Sequence, residues 1–237
     1  MKPPVYIFQM GKVGSTALSR TLNHFGCPAM QAHTLQMFPE DRKIELKRRL
    51  WMAAWGLDKV KVICPVREPV GRNVSAFFEN LRRDVGEGVV SEESSLADVR
   101  QLFLDRARHN VPIEWFDENL RTVFGVDVFQ RPFPVERRWD AWRSRGVEIL
   151  VYRTDLSADE QLKIVSEFVG KALTEWIRAN EGSSKAYAGV YERFRSEVRL
   201  PRHYVRMLCE SRFCRHFWSA DEIDGIVQRW SEPVGNG

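Results

Sequence analysis

The segment GKVGST, residues 11–16, combines two glycines, a lysine and two hydroxyl side chains. The apolar run VYIF at residues 5–8 predicts a short buried strand before it, and Leu18 and Leu22 indicate one face of a helix after it. A glycine turn between a strand and a helix directs backbone N–H groups and the positive end of the helix dipole towards one point. Because Lys12 adds a full positive charge there, the segment is suited to bind a phosphate group.

This segment differs from a Walker A loop, in which the lysine directly follows the last glycine and directly precedes the hydroxyl residue. Lys12 comes two residues before Gly14, and Ser15 follows Gly14 with no lysine between them. An ordinary strand-to-helix turn with a serine N-cap is the alternative that needs no ligand. The positive charge of Lys12 and the position after the first strand favour a phosphate site.

A second segment has a related pattern. The mostly apolar residues 60–66 predict another buried strand, and Arg67 follows at its carboxyl end, where open α/β sheets bind ligands. Ser75 falls two turns into the predicted helix that follows, within reach of an anion held by Arg67. Arg72 lies one turn from Glu68, and this spacing predicts an ion pair between them on the protein surface.

Together the two segments resemble the cofactor motifs of sulfotransferases that use PAPS (3′-phosphoadenosine 5′-phosphosulfate). GKVGST is similar to the loop that binds the 5′-phosphosulfate, and VREPVGRNVSAFF, residues 66–78, is similar to the 3′-phosphate motif R-x-P-x-x-R-x-x-S-x-[FY]. Carbohydrate sulfotransferases are the closest branch, because their loops often carry a lysine before the glycine. More loosely, residues 113–129 and 212–230 resemble bacterial sulfotransferase-like proteins of capsular polysaccharide synthesis.

The resemblance implies an enzyme that moves a sulfuryl group from PAPS to a hydroxyl of a carbohydrate or similar acceptor, with PAP as product and no metal. Lys12 would neutralise the bridging oxygen, and backbone N–H groups would hold the 5′-phosphate. Residues 180–187 resemble a late loop that folds over the nucleotide, although a helix N-terminus capped by Ser183 explains them equally. The implied cofactor-binding set is Lys12, Val13, Gly14, Ser15, Thr16, Ala17, Arg67, Ser75 and Lys185.

Sulfuryl transfer also needs a general base for the acceptor hydroxyl. We predict that His33 is this base, because it follows the second short strand and so lies near the same carboxyl edge as the glycine turn. A loop histidine that bonds to the backbone is the alternative. Glu114 and Asp117 are the other candidates for the base.

The whole chain of 237 residues is predicted to form one sulfotransferase-like domain, residues 1–237. Alternating strands and helices indicate an α/β, P-loop-like three-layer fold with a central, mostly parallel sheet flanked by helices and a helix-rich C-terminal third. Strands are predicted at 5–9, 28–32, 60–66 and 147–152, and helices at 15–25, 40–55, 69–83, 96–107, 113–124 and 157–169.

Composition narrows the class of protein further. Hydrophobic residues make up 43% and charged residues 29%, as is usual for globular enzymes. No apolar run is long enough to span a bilayer and no signal peptide is visible, so we expect a cytoplasmic protein. The net charge is +4, but no nucleic-acid motif accompanies the clustered arginines.

Two other functions remain open from the sequence. One is a P-loop kinase or other nucleotide phosphotransferase that uses ATP and magnesium, although the order of Lys12 and Ser15 argues against it. The other is a non-catalytic nucleotide-binding protein. The acceptor itself has no signature in the sequence, because acceptor pockets are built from variable loops.

Overall fold

The computed structural model describes residues 3–177 and 187–233. Its central sheet has five strands in the order β2-β1-β3-β5-β4. Neighbouring strands run parallel except β4, which is antiparallel to β5 at one edge. The α/β fold with a mostly parallel sheet flanked by helices is therefore confirmed. The strands are β1 (Val5–Phe8), β2 (Ala29–Ala32), β3 (Val60–Val66), β4 (Trp139–Ser144) and β5 (Val147–Arg153).

Helices connect the strands and make up most of the last third of the described chain. Short 3₁₀ turns occur at Leu35–Met37 and Val128–Gln130, and a π-helical stretch at Phe116–Arg121 lies between two short α-helices. The α-helices are α1 (Ser15–His24), α2 (Glu40–Ala54), α3 (Pro69–Glu79), α4 (Leu81–Asp84), α5 (Leu96–Arg106), α6 (Val111–Trp115), α7 (Thr122–Phe124), α8 (Ala158–Val169), α9 (Ala188–Glu197), α10 (Arg202–Cys209), α11 (Arg212–Phe217) and α12 (Ala220–Trp230).

Backbone packing divides the chain into two compact units. The first, called the sheet unit, consists of Met1–Arg67 and Glu114–Ala179 and contains all five strands. The second, called the helical unit, consists of Glu68–Ile113 and Asn180–Gly237. The prediction of a single domain over 1–237 is not decided by this division and stays a prediction.

One face of β1 packs against helices of the sheet unit. Val5 and Ile7 point to this face, and they share a buried cluster with Leu18 and Leu22 of α1 and with Ile164 of α8. The helix predicted from Leu18 and Leu22 therefore packs as the spacing of its apolar residues requires. This packing fixes where α1 begins, directly after the glycine turn.

The alternate residues of β1 point to the other face of the sheet, because successive side chains of a strand point in opposite directions. Tyr6 and Phe8 lie in an aromatic cluster with Phe38, Trp115 and Phe124. The ring centroids of Phe8 and Trp115 are 5.2 Å apart, as are those of Phe8 and Phe124. Both faces of β1 are thus covered, which explains its unbroken apolar run.

The helical unit contains a buried polar network that the sequence did not reveal. Arg72 is only 6% exposed, so the predicted surface location is wrong, and its Nη1 donates to Asn73 Oδ1 at 3.1 Å. Asn73 Nδ2 donates to the main-chain oxygen of His109, whose Nδ1 is 2.8 Å from Tyr204 Oη. Burial raises the pKa of Tyr204 and lowers the pKa of His109.

Edge strand β4 was not predicted, because its residues are mostly polar or partly exposed and show no apolar run. It joins β5 through a two-residue turn, Arg145 and Gly146, whose φ angles are 48° and 80°. Two positive φ angles are the signature of a type I′ hairpin turn, for which glycine is preferred. A Cβ at Gly146 would lie 2.1 Å from the main-chain oxygen of Ala53, so this glycine is also required by close packing.

We expect Gly146→Ala to destabilise the protein more than Gly170→Ala does. Both glycines have positive φ, 80° and 70°, so each change adds a similar backbone cost of about 1 kcal/mol. Only at Gly146 does the new methyl meet backbone atoms, since nothing lies within 4 Å of a Cβ at Gly170. The difference in unfolding free energy in urea should be about 1–3 kcal/mol, and equal losses would show that Ala53 moves away freely.

Candidate functional site

The turn between β1 and α1 is held in an unusual backbone conformation. Gly11, Lys12 and Gly14 have φ angles of 84°, 61° and 74°, all in the left-handed region. Glycine adopts this region readily, whereas a lysine there costs about 1 kcal/mol or more. Only Lys12, Arg138 and Arg145 among the described non-glycine residues have positive φ. A strained lysine two residues before the N-cap of a helix suggests a binding site.

The N-terminus of α1 is arranged to receive an anion. Gly14 is the N-cap, and in the described part of the chain this helix has no side-chain cap. The serine N-cap considered for the turn is therefore wrong, because Ser15 is already the first helical residue. The first N–H groups of a helix have no partner within it, and the helix dipole makes their end positive. A phosphate placed there would accept from these N–H groups.

The start of α3 in the helical unit shows the opposite arrangement. The carboxylate of Glu68 accepts from the main-chain N–H groups of Val70 and Gly71, at 2.9 and 2.7 Å. Glu68 thus places a negative charge of the chain itself at this helix end. Of the two helices predicted to face nucleotide phosphates, α1 is the one whose first N–H groups are left for an external ligand.

A buried glutamine that the sequence did not single out organises the turn. Gln9 is 1% exposed, and its Oε1 accepts from the main-chain N–H of Gly11. Its Nε2 donates to Ser15 Oγ at 2.9 Å and lies 2.9 Å from Nδ1 of His33. One carboxamide therefore connects the glycine turn, the start of α1 and the end of β2.

The hydroxyl group of Ser15 is an acceptor from two amides. Gln9 Nε2 and Gln31 Nε2 each donate to its Oγ at 2.9 Å. A serine hydroxyl has two lone pairs and one hydrogen, so two accepted bonds direct the hydrogen outward as a donor. Ser15 is 5% exposed. Its hydrogen can therefore add to the N–H groups of α1 as a donor to a bound anion.

His33 is fixed by contacts on several sides. Its main-chain oxygen accepts from Trp115 Nε1 at 2.7 Å. Its Nδ1 lies 3.0 Å from the main-chain oxygen of Gln9 and 2.9 Å from Gln9 Nε2. A protonated Nδ1 donates to the oxygen, whereas an unprotonated Nδ1 accepts from the amide. The structure thus brings His33 to the glycine turn, as its position after β2 predicts.

Arg67 follows β3 and also reaches the turn. Its Nη1 donates to the main-chain oxygen of Lys12 at 3.3 Å, so the guanidinium of Arg67 lies beside the backbone of Lys12. Ser75 is a half-buried residue of α3 in the helical unit. Lys185 and the alternative N-cap Ser183 lie outside the described residues, so the two predictions for that segment stay predictions.

The other candidates for the base lie on the segment after α5. Glu114 is exposed, and the carboxylate of Asp117 is 3.7 Å from a guanidinium nitrogen of Arg121. Both belong to the sheet unit. Of the three candidates, His33 is the one with recorded hydrogen bonds to Gln9, which itself bonds to the turn.

A separate cavity lies in the helical unit. Its volume is about 360 Å³, and Arg206, Arg215 and Trp218 are among the residues that line it. None of the predicted site residues within the described ranges lines this cavity. No group of three or more histidine, cysteine, aspartate and glutamate side chains in residues 3–177 and 187–233 is arranged to hold a metal ion.

No family model, no curated protein and no solved structure matches this chain. The function of the candidate site therefore has to be inferred from its own residues. None of the helices within the described ranges is long and apolar enough to cross a membrane.

We expect Ser15→Ala to destabilise the protein even without a ligand. The change leaves an N–H of Gln9 and an N–H of Gln31 without their acceptor, and an unpaired buried donor costs about 1–3 kcal/mol. Ser19→Ala on the same helix is the matched control, because Ser19 Oγ has only a long, exposed contact of 3.4 Å with Asn23. Unfolding in urea should separate the two variants, and equal stabilities would contradict the network around Ser15.

Proposed function

We propose that this protein is a sulfotransferase that moves the sulfuryl group of PAPS to a hydroxyl group of a carbohydrate or similar acceptor. The observation that supports this most is the start of α1, where the N–H groups, the Ser15 hydroxyl and the Lys12 turn occur together. These donors suit the 5′-phosphosulfate end of the nucleotide. The resemblance of residues 11–16 and 66–78 to sulfotransferase motifs supplies the identity of that nucleotide.

The bonds of Ser15 favour PAPS over a magnesium nucleotide. In ATP-dependent P-loop enzymes the loop hydroxyl binds Mg²⁺ through an oxygen lone pair. Both lone pairs of Ser15 Oγ accept from amides, so this oxygen is engaged as an acceptor and offers a hydrogen. A hydrogen donor suits a phosphate oxygen and repels a cation. The order of Lys12 and Ser15 in the sequence leads to the same preference.

Lys12 would act on the leaving group. During transfer the bond from sulfur to the 5′-phosphate oxygen breaks, a bond from sulfur to the acceptor oxygen forms, and negative charge collects on the phosphate. By analogy with phosphoryl transfer, the two oxygens lie in line with the moving group. The Lys12 ammonium would neutralise this charge, which is absent from PAPS, grows in the transition state and remains on the product PAP. The N–H groups of residues 13–17 would hold the phosphate in place.

His33 would take the proton of the acceptor hydroxyl. In the tautomer whose Nδ1 proton is donated to the main-chain oxygen of Gln9, the lone pair of the ring is on Nε2. When Nε2 gains a proton, the bond from Nδ1 to Gln9 is kept and stabilises the charged ring. This arrangement orients the ring in the way a general base requires.

Arg67 would serve the second phosphate of the nucleotide. A guanidinium has five N–H donors, so the bond to the main-chain oxygen of Lys12 leaves others for an anion. The assignment of Ser75 and Lys185 to the 3′-phosphate depends on the sequence motif alone.

We expect PAP to stabilise the protein against heat without any added metal, because the proposed site binds phosphate through N–H, hydroxyl and cationic groups. PAP at about a hundred times its dissociation constant should add roughly 2.7 kcal/mol to the unfolding free energy. ATP with and without magnesium is the comparison ligand in the same thermal-shift measurement. Stabilisation only by ATP with magnesium would replace the proposal with a phosphotransferase.

Alanine at either of the two proposed catalytic residues should lower turnover far more than it weakens the affinity for PAP. Lys12→Ala removes an interaction of the transition state, and His33→Ala should lower turnover by about 10²–10⁴. Turnover is measured with labelled PAPS and an acceptor found by screening glycans. Affinity for PAP is measured by calorimetry on the same preparations.

Two control variants each remove a histidine or a lysine from outside the proposed site. His24→Ala removes a histidine from the far end of α1, and Lys171→Ala removes an exposed lysine after α8. Both should keep normal turnover.

Full activity of His33→Ala would instead indicate Glu114 or Asp117 as the base. Tight PAP binding with no sulfate transfer to any acceptor would indicate a nucleotide-binding protein without chemistry.

A further inference from the structure

Helix α2 and the residues just after it carry large apolar side chains that are mostly exposed to solvent. Ile44, Trp51 and Trp55 are 62%, 64% and 71% exposed, and Leu57, just after the helix, is 69% exposed. Single exposed apolar residues are common, but four of them close together in sequence, two of them tryptophan, are a mark of an interaction surface. These four residues are called the tryptophan ridge below.

The ridge is a fixed feature of one side of the helix. Ile44, Trp51 and Trp55 are separated by seven and four residues, which places them along one line of an α-helix. Leu46 and Ala53 lie on the buried side of α2. The buried side is therefore already occupied by the core of the sheet unit, and the ridge is not an unsatisfied part of that core.

Positive charge accompanies the ridge. Lys47 and Arg48 are exposed and precede Trp51 by four and three residues, so they flank the same line on its two sides. The one acidic residue between positions 46 and 59 is Asp58, whose two carboxylate oxygens accept from Arg49 at 2.8 and 3.1 Å. Along positions 46–59 the surface thus offers apolar rings together with cations, whereas the exposed Glu40 and Asp41, one turn before Ile44, lie beside Lys43 and Arg42.

We propose that the tryptophan ridge docks the protein on the surface of an anionic lipid bilayer. Tryptophan rings prefer the boundary between hydrocarbon and headgroups, and the stems of lysine and arginine lie along apolar surface while their charges reach the lipid phosphates. The rings of Trp51 and Trp55 are inclined at 55° with centroids 6.3 Å apart, so they do not form the common plane that stacking on a sugar chain requires. This docking is independent of the proposed enzyme activity.

Sedimentation of the full chain with vesicles tests the proposal. The protein should bind vesicles that contain about one third phosphatidylserine and bind pure phosphatidylcholine at least tenfold more weakly. Trp51→Ala combined with Trp55→Ala should reduce binding to the anionic vesicles at least tenfold. Each of Lys47→Gln and Arg48→Gln should reduce it about fivefold, and 1 M salt should weaken binding of the unchanged protein because it shortens the screening length to about 3 Å.

Matched variants outside the ridge should bind the vesicles normally. Met207→Ala removes another exposed apolar side chain, and Arg106→Gln with Lys163→Gln removes two exposed charges from other helices. Unchanged unfolding midpoints of the ridge variants would show that a loss of binding is not a loss of fold. Three results would each overturn the proposal: equal binding to neutral vesicles, binding only to a soluble anionic polysaccharide such as heparin, or a dimer that the tryptophan variants abolish.

Discussion

The candidate site depends on the carboxamide of one buried, uncharged side chain. Gln9 Oε1 accepts from Gly11 and its Nε2 donates to Ser15, while the main-chain oxygen of the same residue lies 3.0 Å from Nδ1 of His33. Because these groups lie away from water, each bond that Gln9 failed to make would cost free energy. The positions of the anion-binding helix end and of the candidate base are therefore coupled through a residue that performs no chemistry itself.

The sequence allowed most of the sheet to be predicted, because buried parallel strands are short, mostly apolar runs. Strands β1, β3 and β5 have this property. The helix predicted over 157–169 also matches α8, which begins with a capping box of Ser157 and Glu160. Strand β4 lacks it, since an edge strand is paired on one side only and carries polar residues. The helix predicted over 69–83 ends at Glu79, where the side chain of Asn80 donates to the main-chain oxygen of Ala76.

The sequence pointed to the glycine turn, Lys12 and Arg67. Glycines and charged residues directly after predicted strands are a pattern typical of anion-binding sites. Gln9 and Gln31 could not be found in this way, since neutral amides carry no spacing rule and their partners are distant in sequence. The parallel register of β1 and β2 was the missing information. It pairs Ile7 with Gln31, and continuing it by two residues places Gln9 beside His33. A polar residue directly after each of two adjacent strands is the signal that would have pointed to Gln9, whereas Gln31 lies within β2.

At position 12, the stability of the fold and the positive charge of the turn favour different residues. Glycine would adopt the left-handed backbone conformation of Lys12 without strain, so the fold alone would be better served by glycine there. A laboratory selection for heat resistance would thus favour replacement of Lys12 by glycine. The selected proteins would be more stable, but their turn would carry less positive charge. Stability engineering of this chain should leave position 12 untouched and work on the exposed faces of the helices instead.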